Sequence, residues 1–231
     1  MSTVAETCSL QAIAYIKQCL LDGKLSPGDP IKEVSIATEL GISRGPVREA
    51  LQTLLQEGLV TGLPQKAKHI RRLSAQEVVD SYCLGGTLEG ACIVQSLPRL
   101  DQAVLLKARH VWEEMRRRSG EVRGLVELAP LDDAFHTTLM SRCRNQLMRD
   151  TARKACANIS KFLYFKCWNE LYSPDEFVRR HEDVLKAVES RDPRHIERTV
   201  LEHYRETGRR LAGICSKHSQ QRCCDEEFIM D

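Results

Sequence analysis

Apolar residues recur at helical spacing in three short runs before residue 58. The first, over about 9–21, sets Leu10, Ile13, Ala14 and Leu20 on one side. The second, over 31–40, carries Val34, Ile36, Ala37 and Leu40 and stops at Gly41. In the third, Val47, Ala50, Leu51, Leu54 and Leu55 fall at i, i+3, i+4, i+7 and i+8, and Gly58 stands at C′. Ser43 is placed to cap the first backbone N–H groups of that helix, and Pro46 lies in its first turn, where a missing N–H breaks no intrahelical bond. Two helices meeting across a short glycine turn read as a helix-turn-helix. Leu59–Thr61 and His69–Arg71 read as two short strands, and the residues between them, 62–68, as a wing.

Strand-like runs nearly vanish after residue 72. Ser74, with Glu77 three residues on, is a capping box that opens a new helix, so a domain boundary is expected near Leu73. Six helices are predicted: 75–97, stopped by Pro98; 100–118, stopped near Gly120; 124–143, with Pro130 an interruption; 145–170; 174–190; and 193–214. Ser173-Pro174 with Glu176, and Asp192-Pro193, mark two of the starts. The expected organisation is a winged helix-turn-helix over 1–73, an all-α domain over 74–215, and a disordered polar tail over 216–231.

Composition narrows the class. A chain of 231 residues with 42% hydrophobic content can bury one large or two modest cores, and 5% aromatics suits a mainly α protein. No apolar run approaches the roughly 18 residues of a membrane span, and the N-terminus has neither a basic n-region nor an apolar h-region, so a cytoplasmic protein is expected. The ten cysteines are scattered without a C-x-x-C pair and read as reduced, buried hydrophobes. Cys215, His218, Cys223 and Cys224 have the residue types of a metal or redox site, against the plainer reading of a polar terminus.

Net charge is only +2, yet residues 44–72 hold six Lys or Arg against two Glu. Arg44 and Arg48 lie opposite the apolar stripe of the third helix, where a guanidinium can bond guanine O6 and N7 or hold a phosphate. Taken alone, the same pattern describes an ordinary amphipathic helix with solvated arginines. Further on, Asp132 and His136 stand at i and i+4 on one helix face, with His181 and His203 on two further helices. One carboxylate and three imidazoles suit Zn²⁺, Ni²⁺ or Mn²⁺. Singly, each histidine reads as an ordinary helix residue, as His69, His110, His195 and His218 do.

Lys24-Leu25-Ser26-Pro27-Gly28, then Glu39 through Leu51, Leu54 and Glu57-Gly58-Leu59-Val60 resemble the DNA-binding domain of the GntR family of bacterial transcription regulators. Two departures stand out: Val34, where some members place a DNA-contacting Arg, and a wing without the usual glycine pair. Leu131 through His136, Asn145 with Leu147, His181 through Val188, Asp192 and His203 resemble the FCD ligand-binding domain of the FadR subfamily, over 74 to about 212. In the metal-binding branch, the resemblance implies, Asp132, His136, His181 and His203 coordinate one divalent ion inside an antiparallel helical bundle. Asn145 matches a cavity-lining position and, at a helix start, is equally an N-cap. Gly85-Gly86 falls where many members have an Arg that helps hold a carboxylate ligand. Two glycines inside a helix cost about 2 kcal/mol relative to alanine, so a kink or a close backbone approach is expected there.

These readings together imply a homodimeric regulator, by default a repressor, that reads palindromic operator DNA with Ser43, Arg44, Gly45, Arg48, Lys66 and Lys68. Its effector would be a small organic acid held at the ion. An alternative makes the ion itself the signal. A metal-dependent enzyme is the remoter reading, since neither Asp133 nor Glu182 is placed by a motif as a general base.

Overall fold

A computed structural model describes residues 4–63 and 66–227, with side chains described over 7–63 and 66–215. Pro64 and Gln65 of the expected wing, and the side chains of the expected tail with Cys223 and Cys224, lie outside these residues. The chain divides into two compact units: Met1–Leu73 with Asn158–Phe165, and Ser74–Ala157 with Lys166–Asp231.

The first unit contains α1 (Val4–Asp22), β1 (Pro30–Ile31), α2 (Glu33–Leu40), α3 (Arg44–Gln56), β2 (Val60–Thr61) and β3 (Lys68–Ile70). Its sheet has the order β1-β3-β2, antiparallel throughout, with Ile31 opposite Lys68 and Val60 opposite Ile70. Strand β1 was not foreseen, because two residues are too few for an alternating pattern. The stripe Val47, Ala50, Leu51 and Leu54 is buried as its period requires, and α3 packs on both α1 and α2. In α1 the buried face is Ala12, Ile16, Cys19 and Leu20, whereas Leu10 is 60% exposed. The expected stripe was therefore rotated, since α1 is apolar nearly all round and its pattern selects no single face. Val34, an apolar residue at the position where the resemblance places a DNA-contacting Arg, is also exposed. Gly41 adopts φ 64 and sends its N–H back to α2, and Gly58 adopts φ 75 after α3; both are left-handed positions that suit glycine.

Residues 158–165 join this unit through several contacts. Asn158 Nδ2 donates to the Glu57 carbonyl, and Lys17 Nζ stands 5.2 Å from the Phe162 ring centre. The Tyr164 hydroxyl accepts from Leu73 N–H at 3.2 Å and lies 3.3 Å from the Leu73 carbonyl.

The second unit holds α4 (Ala75–Ser96), α5 (Gln102–Ser119), α6 (Ala129–Met140), α7 (Gln146–Asn158, its last residue counted with the first unit), α8 (Pro174–Ser190) and α9 (Pro193–Glu227). The capping box of α4 forms as predicted, with Ser74 accepting from Glu77 N–H and Glu77 reaching back to Ser74 N–H. Asp101 caps α5 and Ser173 caps α8. The helix expected over 145–170 is instead broken: α7 ends at Asn158, a π turn covers Ile159–Leu163, and a 3₁₀ turn covers Phe165–Glu170. Sequence periodicity gave no warning, because a π turn preserves local hydrogen bonding while shifting the face by one residue.

Helices α4 and α9 run antiparallel and pack closely. A Cβ on Gly86 would stand 2.7 Å from Tyr204 Cβ and 3.2 Å from Leu201 Cα; one on Gly90 would meet Glu197 Cα at 3.2 Å, and one on Gly208 would meet Tyr82 Cβ at 2.7 Å. Small residues on both helices thus let the backbones approach, and α4 runs through the double glycine as one helix. The close approach, one of the two expected outcomes, is the one realised.

Candidate functional site

Two constellations carry chemistry, one in each unit. In the first, Ser43, Arg44, Gly45 and Arg48 are exposed along the N-terminal half of α3. Ser43 takes the N-cap position with extended backbone (φ −73, ψ 165), but its side chain makes no capping bond, contrary to expectation. Glu33, at the start of α2, accepts from Arg48 Nε at 2.9 Å and from Arg44 Nη2 at 3.3 Å. The bond from Arg48, then that from Arg44, holds the Glu33 carboxyl below its ordinary range despite partial burial. A groove of about 830 Å³ lies here, lined by Lys32, Glu33, Val34, Arg44, Arg48 and Lys66 among others. Lys66 is exposed. Lys68 is turned inward at 8% exposure, its Nζ donating to the Leu63 carbonyl at 2.7 Å, so its ammonium braces the wing.

In the second unit, α6 supplies Asp132 and His136, α8 supplies His181 and α9 supplies His203. The three histidines offer ligand nitrogens all within 4.8 Å of one another. Asp132 Oδ1 lies 2.9 Å from His181 Nε2 and 3.7 Å from His136 Nε2. Three helices therefore bring the three histidines together, with Asp132 at the edge of the cluster beside His181 and His136.

Hydrogen bonds on the far sides of the rings fix which nitrogens face that point. His181 Nδ1 donates to the Phe177 carbonyl at 2.8 Å, one turn back on α8. His136 Nδ1 donates to Glu89 Oε1 at 2.6 Å, and the other Glu89 oxygen accepts from the Tyr204 hydroxyl at 2.7 Å. In a neutral His181 ring the inward Nε2 is then a bare acceptor. His181 Nε2 and the Asp132 carboxylate are thus two acceptors 2.9 Å apart, a repulsive pairing that a divalent ion or an added proton relieves. His203 Nδ1 is buried without any hydrogen-bond partner. Burial, then His181 and His136, pushes the His203 ring well below its ordinary pKa, which keeps it neutral and able to ligate. His136 is also buried, but Glu89, then Asp132 and Asp133, outweigh that burial and raise it to about 9. The donor set, the orphaned nitrogen and the two supported rings all fit a divalent ion with nitrogen and oxygen ligands.

Asn145 is not part of this constellation in any interaction the structure shows. It is exposed and its Oδ1 accepts from Met148 N–H at 3.0 Å, so the residue caps α7. Glu89 and Tyr204, which support the site, went unrecognised in the sequence. One signal was available: Glu89 is an acid on the small-residue face of α4, in line with Gly85, Gly86 and Gly90, and it is fully buried. An acid on a stripe that must face another helix needs a partner.

With the geometry in place, comparison with known proteins is specific. Residues 8–70 match the model of the bacterial regulatory proteins of the gntR family, and residues 80–206 match the FCD domain. The chain is 30% identical to the Nta operon transcriptional regulator of Aminobacter aminovorans, over 77% of this chain and 81% of that one. It is 25% identical to the HTH-type transcriptional repressor RspR of Escherichia coli K12, over 90% and 91%. Among solved structures, E. coli McbR/YncC shares the fold with a TM-score of 0.65 at 17% identity, covering 92% of this chain and 98% of that one. A putative GntR regulator from Rhodococcus sp. RHA1 also gives 0.65, at 19% identity, over 89% and 97%. The chain belongs to the GntR family of transcriptional regulators and carries an FCD domain: it is a DNA-binding regulator, not an enzyme. Among the described residues no helix is long and apolar enough to cross a membrane.

Proposed function

We propose that this GntR-family regulator is a homodimeric repressor whose operator affinity is set by a small-molecule effector held at a divalent ion in the FCD domain. The observation that carries the metal reading is the facing pair of His181 Nε2 and Asp132 Oδ1 beside the orphaned His203 Nδ1. Asp132, His136, His181 and His203 would hold Zn²⁺, Ni²⁺ or Mn²⁺, and the ion would supply a Lewis-acid point for an effector oxygen. Two copies of α3 would enter successive major grooves, with Arg44 and Arg48 reading bases or phosphates and Ser43, Gly45 and Lys66 contacting the backbone. Lys68 contributes to this surface indirectly, by fixing the wing.

Regulation needs a coupling of about 1–3 kcal/mol between the effector and DNA sites. Chain connectivity supplies a route. Residues 158–165 belong to the DNA-binding unit, while the residues on either side of them belong to the FCD unit, and Tyr164 braces Leu73, the last residue before the FCD unit begins. A shift of the 3₁₀ turn at Phe165–Glu170 would therefore reach the DNA-binding unit through the chain itself.

The test begins by selecting a bound sequence from random duplex DNA with the purified protein. Zn²⁺ is then titrated into EDTA-stripped protein by calorimetry. One saturable site per chain, weakened more than tenfold in His181→Ala, is expected; no saturable binding removes the metal from the proposal. Arg48→Ala should weaken binding to the selected sequence by about 1–3 kcal/mol in a gel shift. Unchanged affinity there removes the assigned role of Arg48.

A further inference from the structure

Among the described residues, three buried side-chain nitrogen or oxygen atoms lack a hydrogen-bond partner: the Tyr82 hydroxyl, Trp168 Nε1 and His203 Nδ1. Orphaned buried polar groups are rare, because each bears its desolvation penalty uncompensated. His203 belongs to the histidine cluster, and Tyr82 and Trp168 each lie one aromatic ring removed from it. The proposed ion would account for His203, whereas Tyr82 and Trp168, exposed by 3% and 7%, call for another partner.

Neighbouring groups locate both residues. After burial itself, Cys156 and the candidate ligand Asp132 press the Tyr82 phenol upward, and the Trp168 indole N–H, near enough to act as a loose hydrogen-bond donor, presses it down. The two polar atoms are thus neighbours, but their approach falls short of a well-formed hydrogen bond. The Trp168 ring centre is 6.2 Å from that of Phe177, which is 4.3 Å from the His181 ring. The Tyr82 ring is 6.3 Å from that of Tyr204, which is 5.4 Å from His136. At Gly85, where the family resemblance leads one to expect a guanidinium, a Cβ would already meet Cys156 Sγ at 3.0 Å and Tyr204 Cε1 at 3.2 Å.

We infer that the Tyr82 O–H and Trp168 N–H are the effector-recognition donors of this domain, binding an acceptor oxygen of a small molecule whose second oxygen sits on the ion. The inference rests on the metal-held effector proposed above and deepens it. An indole nitrogen only donates, and a phenol beside it can donate too, so the pair is complementary to the lone pairs of a carbonyl or carboxylate oxygen. Both donors are neutral. They satisfy an amide carbonyl as readily as a carboxylate, unlike a guanidinium, which strongly prefers the anion. The ligand class is a small α-hydroxy or α-keto carbonyl compound with two oxygens about one chelate ring apart, and its net charge is a secondary matter.

The experiment uses the full chain and three probes: acetohydroxamate, lactate and lactamide. Zinc affinity is measured first in wild type, Tyr82→Phe and Trp168→Phe; each probe is then titrated into the zinc-loaded proteins by calorimetry. We expect zinc affinity to hold across the three proteins, acetohydroxamate to bind the wild type, and each variant to bind it about tenfold more weakly, which is about 1.4 kcal/mol. Lactate and lactamide should differ from one another by less than tenfold. Loss of an orphaned hydroxyl should also raise the unfolding midpoint of Tyr82→Phe without ligand, whereas a structural Tyr82–Trp168 bond would make that variant melt earlier. Probe affinity decides: unchanged binding in both variants, or no probe binding to zinc-loaded wild type, overturns the assignment while leaving the metal site standing. Failure of zinc itself to bind overturns the metal reading, and the donor assignment falls with it.

Discussion

His136 Nδ1 lies 2.6 Å from Glu89 Oε1, a buried pairing of α6 with α4 in which the acid is fully enclosed and its second oxygen is held by Tyr204. Such a carboxylate orients the imidazole and adds negative charge behind a bound cation. Glu89→Gln keeps the shape and an acceptor oxygen but removes the charge. Zinc affinity should fall by about 10- to 100-fold, measured by competition with a chelator of known affinity, while the fold is retained by circular dichroism. Unchanged affinity would mean that Glu89 only fills space.

Glu33 places a carboxylate against both recognition-helix arginines. All three side chains are partly exposed, so the pairs contribute little to stability. Their consequence is for the proposed DNA contact: where Arg44 and Arg48 hold phosphate, the duplex competes with Glu33 for the same guanidiniums. Glu33→Gln should tighten binding to non-operator duplex by about 3- to 10-fold at low salt and steepen the salt dependence by about one charge, read from a log–log titration. A slope that does not move would show that Glu33 does not compete with phosphate.

The α4–α9 approach gives a prediction with an internal control. Gly86→Ala should destabilise by about 1–3 kcal/mol, because the new methyl meets Tyr204 and the Leu201 backbone. Gly120→Ala meets nothing within 4 Å at a φ of −79° and should stabilise by about 0.4–1 kcal/mol through the unfolded chain. Denaturant midpoints of the two variants should therefore move in opposite directions.

Arg210 bonds Glu176 at 2.7 Å and Glu206 at 2.8 Å and lies over the Tyr172 ring, 4.3 Å from its centre. Its bond to Glu206 holds that carboxyl below its ordinary range despite desolvation. A depressed folded-state pKa stabilises the native state above the unfolded value and is lost as pH falls through the folded one. The wild-type unfolding midpoint should thus drop as pH is lowered below about 4.5, and the drop should be shallower in Arg210→Gln. Parallel curves for the two proteins would rule the linkage out.

The sequence by itself determined the local structures whose causes are local. The glycine stops at Gly41 and Gly58, the caps at Ser74 and Ser173 and the apolar stripe of α3 stand where spacing put them. The three candidate histidines also cluster, and Asp132, one turn before His136 on the same helix face, lies beside His181. Only tertiary structure decided what depends on a neighbour. It turned α1 onto Ala12 and Ile16, folded Lys68 back onto Leu63 and broke the helix expected over 145–170. It also placed Glu89 behind His136 and left Tyr82 and Trp168 without partners. Period fixes a face only where polar and apolar residues are segregated; on a helix that is apolar or small-residue all round, the approach of the next helix chooses which side chains are enclosed and what they must bind.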